Sequence, residues 1–86
     1  MNSIVLMYKC PLKDYLICDK YLLDKGYYWG RDMSSEEFYN IIKDDNEKYI
    51  YIYLNENKAL AWNYFGSRKD IKTINFERIL KLKKLL

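Results

Sequence analysis

The pattern of this chain predicts a small α+β domain: a small antiparallel sheet in the order β-α-β-α-β-β-(β)-α, with the helices packed mainly on one face. Three stretches carry that expectation. Tyr49-Ile50-Tyr51-Ile52-Tyr53-Leu54 alternates with period two, breaks at Asn55 to Lys58, and resumes as Ala59-Leu60-Ala61-Trp62-Asn63-Tyr64-Phe65, a hairpin pattern. Leu12, Tyr15, Leu16, Asp19, Leu22 and Leu23 recur at helical spacing between Pro11 and Gly26. Ser34 and Glu37 have the spacing of a capping box ahead of Phe38, Ile41 and Ile42.

The elements follow in order. Ser3 to Lys9 is nearly all apolar and β-favouring, long enough for a buried first strand and too short for a helix. Pro11 suits the first turn of the helix that follows. Lys25 favours the negative end of that helix, and Gly26 supplies the left-handed cap that stops it. Tyr27-Tyr28-Trp29 reads as a short strand ended by Gly30. Met33 and Phe38 then form the hydrophobic staple around the Ser34 cap, and the helix fades at Asp44-Asp45-Asn46. After the hairpin, Gly66-Ser67 breaks the pattern and Ile71 to Ile74 forms a short last strand. Asn75 caps a terminal helix bearing Phe76, Ile79, Leu80 and Leu86.

With Asn55 to Lys58 as the loop, Leu54 faces Ala59, Ile52 faces Ala61 and Ile50 faces Asn63. That pairing makes one narrow aliphatic face, which suits close helix packing. It puts Tyr53 with Leu60, Tyr51 with Trp62 and Tyr49 with Tyr64 on a broad aromatic face turned outward. The expected core is Leu16, Leu22, Leu23, Phe38, Ile42, Ile50, Ile52 and Ile79, shared by one domain over residues 1–86.

Composition sets limits on function. Charged residues make up 31% of the chain, an ordinary globular proportion, while ten Tyr against three Phe and no His are departures. The net charge of +3 hides a polarity: Cys10 to Asn57 carries −4 and Arg68 to Leu86 carries +5. No basic n-region precedes a long apolar run, and no run approaches the ~20 residues that span a bilayer. A cytoplasmic protein with Cys10 and Cys18 as reduced, structural thiols is the expectation.

Candidate chemistry is sparse. Without His the usual neutral-pH general base is missing. Glu36-Glu37 and Asp44-Asp45 are adjacent residues that a helix would splay about 100° apart, which suits solvated surface better than acid/base work. Cys10, beside Pro11, lacks a neighbouring base to make it a nucleophile. The two cysteines have no metal-site spacing, and Gly26, Gly30 and Gly66 form no phosphate loop. The expectation is therefore a non-enzyme with no cofactor and no metal. Two surfaces remain as binding candidates. Tyr49, Tyr51, Tyr53, Trp62 and Tyr64 have the residue types of a protein interface. As an alternative, the same face with Arg68, Lys69, Lys72, Lys81, Lys83 and Lys84 would suit nucleic acid. Self-association into a dimer through an open strand or the aromatic face is a third reading.

The succession Cys10-Pro11, the Leu22-Leu23 helix end, Lys25-Gly26-Tyr27-Tyr28-Trp29, the hairpin, and Ile71 to Phe76 resembles a pattern found in small phage-encoded accessory proteins. Those chains run strand, "CP", helix, "KGYxW" and hairpin. The Ser34 to Asp45 helix departs from the pattern, since a loop often stands there. The resemblance implies an accessory protein of a virus or mobile element that binds and inhibits a host protein, for example an anti-CRISPR or other anti-defence inhibitor. It implies no catalytic residues.

Overall fold

The computed structural model describes residues 3–66 and 70–82. Strand β1 spans Ile4–Pro11, a 3₁₀ turn at Leu12–Asp14 leads into α1 at Tyr15–Asp24, and β2 is Tyr28–Trp29. Helix α2 is Ser35–Ile42, β3 is Tyr49–Asn55, β4 is Ala59–Asn63, β5 is Thr73–Asn75 and α3 is Phe76–Leu82. The chain order matches the expected α+β succession.

The strands form one sheet in the order β2-β4-β3-β1-β5. The sheet is mixed, which corrects the antiparallel expectation. β1 with β3 and β3 with β4 are antiparallel, whereas β1 with β5 and β2 with β4 are parallel. Connection type explains the difference. A tight turn reverses direction, while a strand that arrives by crossing over the sheet keeps it. α1 carries the chain from β1 to β2 across the helix side. Beyond β4, Gly66 lies against Tyr51 on the opposite side.

Burial in β3 follows its alternation: Ile50, Ile52 and Leu54 are buried, and Tyr49, Tyr51 and Tyr53 between them are half-buried. The isoleucine face meets Tyr8, Cys10 and Leu60 of its neighbours, with Tyr15, Cys18 and Leu22 of α1, Phe38 and Ile42 of α2, and Phe76 and Leu80 of α3 above them. Phe76 sits 5.3 Å from the rings of both Tyr8 and Tyr21, tying α3 to β1 and α1. Ile79 is only half-buried, because Phe76 and Leu80 take the inward positions of α3.

Two expectations about phase are corrected. The hairpin pairs Leu54 with Leu60, Tyr53 with Ala61, Ile52 with Trp62 and Tyr51 with Asn63, one residue away from the expected register. Asn55 belongs to the strand and also organises the loop: its Oδ1 accepts from the N–H groups of Asn57 and Ala59 at 2.8 and 2.9 Å. Lys58 takes the left-handed conformation at φ 67°, so three residues make the turn instead of four. A one-residue slip exchanges faces. Trp62 and Tyr64 therefore join the helix side, and Ala61 and Asn63 join the tyrosine side.

Helix α1 is rotated as well. Tyr15, Cys18, Asp19 and Leu22 are its buried residues, while Leu16 and Leu23, expected in the core, are exposed. At 100° per residue this turns the inward face by roughly 50°. The cause is contact on the side that the leucine stripe ignores. Cys18 is joined to Cys10 of β1 in a disulfide, instead of the two separate thiols expected. Tyr21 packs its edge on Phe76.

Candidate protein-binding face

The five aromatic residues of the expected patch lie on two sides of the sheet. Tyr49, Tyr51 and Tyr53 stand on the helix-free side, yet the chain itself occupies much of that row. Gly66 lies so close to Tyr51 that a methyl group there would overlap the ring, and the Tyr53 hydroxyl donates to the Phe65 carbonyl at 2.5 Å. Lys9 Nζ lies 4.2 Å from the Tyr49 ring centre. Tyr49 titrates above its ordinary value, chiefly through its hydrogen bond with Glu77.

Trp62 and Tyr64 belong to a ladder that fastens α2 to β4. Trp62 meets Phe38 edge-on at 5.1 Å and Tyr64 at the same distance. Trp29 stacks on Phe38 from the other side, and the Arg31 guanidinium lies about 4 Å from both rings. The Tyr64 hydroxyl donates to Asp45, and burial, then that bond, pushes its pKa to about 12.

A buried polar cluster sets the angle of α1. Asp19 is 1% exposed, and its two oxygens accept from Trp29 Nε1–H and the Ser35 hydroxyl. One carboxylate thus joins α1 to β2 and to the start of α2. Arg31 Nη2 donates to the Tyr15 hydroxyl at 2.7 Å. Burial pushes the Tyr15 pKa up to about 12 against the opposing pull of Arg31. Tyr8 is raised too, by burial first and by Tyr27 second.

Turning Asp19 inward leaves another apolar stripe outside. Leu16, Ile17 and Leu23 are 36%, 37% and 42% exposed along the outer shoulder of α1. With Ser35 and Glu36 of α2 they wall a cleft of about 540 Å³, and Asp19 reaches its floor. Lys20 and Asp24 lie on the same wall, paired at 3.5 Å. α1 is thus apolar on its outer shoulder as well as on its inner face. The sequence signal was present: Ile17, Cys18 and Tyr21 fall outside the leucine stripe, so α1 carries more apolar positions than one face needs.

A second cleft, of about 580 Å³, lies where α2, α3 and the Tyr49 end of β3 meet. Its four lysines (13, 43, 48 and 81) are matched by Asp14, Asp45, Glu47 and Glu77, so it favours neither sign of ligand. Of the basic nucleic-acid candidates, Lys72 and Lys81 are exposed, and Arg68, Lys69, Lys83 and Lys84 lie outside the described residues. Among the described residues no cluster of His, Cys, Asp and Glu could hold a metal ion, and no helix is long and apolar enough to cross a membrane. Comparison with protein-family models, with curated proteins and with solved structures gives no match.

Proposed function

We propose that this chain acts by binding a host protein and not by catalysis, as an accessory protein of a phage or mobile element. The observation that carries the reading is the outer apolar stripe of α1, Leu16, Ile17 and Leu23, beside the cleft against α2. Apolar side chains grouped on one exposed helix face mark interaction sites, unlike ones scattered singly. A rigid inhibitor of this size needs only about 800 Å² of its surface in contact. The phage-like sequence pattern makes a host defence protein, such as a CRISPR nuclease, the partner class to try first.

The test is covalent capture. A photo-crosslinking residue at position 17 should trap a discrete host protein from lysate, with the yield unchanged by nuclease treatment and abolished by Leu23→Glu. The same crosslinker at position 51, on the tyrosine side, should trap far less. Signal that disappears with nuclease would support the nucleic-acid reading, and a crosslink to a second copy of the chain would support self-association. Equal trapping from positions 17 and 51 would remove α1 as the interface.

A further inference from the structure

Resting on the reading of α1 and α2 as the binding face, we infer that the cleft between them receives a cationic amphipathic helix of the partner protein. Shape is the first argument. Leu16, Lys20 and Leu23 follow one another up a single side of α1, and Ile17 and Asp24 flank them. Residues 16 to 24 span about 12 Å at 1.5 Å per residue, room for two turns of a helix laid alongside. Such grooves take apolar anchors at i, i+3, i+4 and i+7.

Charge supplies the second argument and names the partner. The accessible charges of the cleft are Asp24, Glu36 and Lys20, two negative against one positive, with Lys20 paired to Asp24. Asp19 lies beneath, 1% exposed, with Trp29, Ser35 and Tyr15 engaging its carboxylate. Arg31 donates to the same Tyr15 hydroxyl, so its charge offsets that of Asp19 inside the fold. Asp24 and Glu36 therefore leave the rim of the cleft net negative, which favours an approaching Lys or Arg. An acidic helix would meet repulsion from Asp24 and Glu36 at the same place. The matching partner helix carries apolar residues that cover Leu16, Ile17 and Leu23, with a basic residue between them.

Two fluorescein-labelled synthetic helices test this against the intact chain by anisotropy. They share one apolar i, i+3, i+4, i+7 stripe and differ only in Arg or Glu at the flanking positions. The Arg peptide should bind about tenfold more tightly at low salt, the scale of two partly exposed charge pairs, and the margin should shrink at high salt. Asp24→Lys with Glu36→Lys should invert the order of the two peptides. Ile17→Glu with Leu23→Glu should abolish both interactions, with circular dichroism confirming that each variant is folded. Asp24→Asn with Glu36→Gln, which keeps the shape, should narrow the gap without inverting it. If both peptides bind equally and the Ile17 and Leu23 variant loses both, the cleft stands as a binding face and the cationic partner is overturned. If the Arg peptide still binds that variant, or neither peptide binds the parent chain, the inference fails.

Discussion

Neighbouring leucines on α1 provide the sharpest check on its rotation. Leu22 is fully buried beneath the sheet, and Leu23 is 42% exposed on the outer shoulder. Leu22→Ala removes side-chain atoms from a site closed on all sides and leaves a cavity, a change that costs about 2–5 kcal/mol. Leu23→Ala removes a side chain that keeps much of its contact with water. Complete burial of a leucine contributes about 1.5–3 kcal/mol, so the loss here is about half of that, near 1 kcal/mol, with no enclosed void. In a domain of this size 1 kcal/mol moves the melting temperature by about 4–8 °C. Leu22→Ala should therefore lower it by at least ~10 °C or prevent folding, and Leu23→Ala by less than ~8 °C. Urea unfolding followed by circular dichroism should show a shifted midpoint and unchanged slope for Leu23→Ala. Equal losses, or a larger loss at Leu23, would refute the rotation and with it the exposed stripe.

Reducing the Cys10–Cys18 disulfide, or replacing both residues by Ser, reopens a loop with a separation of 8 residues. By loop entropy this should cost about 2.5 kcal/mol in a thermal melt with and without reductant. Ser34→Ala removes the hydroxyl that accepts from the Glu37 N–H at 3.1 Å and should destabilise α2 by about 1 kcal/mol in urea. Tyr15 and Tyr64 have folded pKa values raised to about 12, so the stability they contribute is complete below the ordinary tyrosine value of about 10. It should fall between about pH 10 and 12, and the late tyrosinate absorbance should rise together with unfolding. Gly66→Ala should push the Tyr51 ring aside and lower the unfolding free energy in urea by about 1 kcal/mol or more, while leaving capture through position 17 intact.

Sequence alone determined the elements and their order, because those features are written in local chemistry. The Ser34 and Glu37 capping box forms as the spacing requires. Gly26 takes a left-handed φ of 90° just beyond α1, and the alternation of Tyr49 to Leu54 makes β3 with its isoleucines inward. Tertiary structure decided the phases. The hairpin register turned on Lys58 accepting a left-handed backbone, a conformation that sequence assigns first to Gly or Asn. That single residue moved Trp62 and Tyr64 to the helix side and divided the aromatic face. The rotation of α1 turned on partners distant in sequence: Cys10 for Cys18, Phe76 for Tyr21, and Trp29 with Ser35 for Asp19. Periodicity shows that a helix has an apolar side. When the helix is apolar on two sides, only the groups it meets across the fold decide which side is buried and which is left exposed.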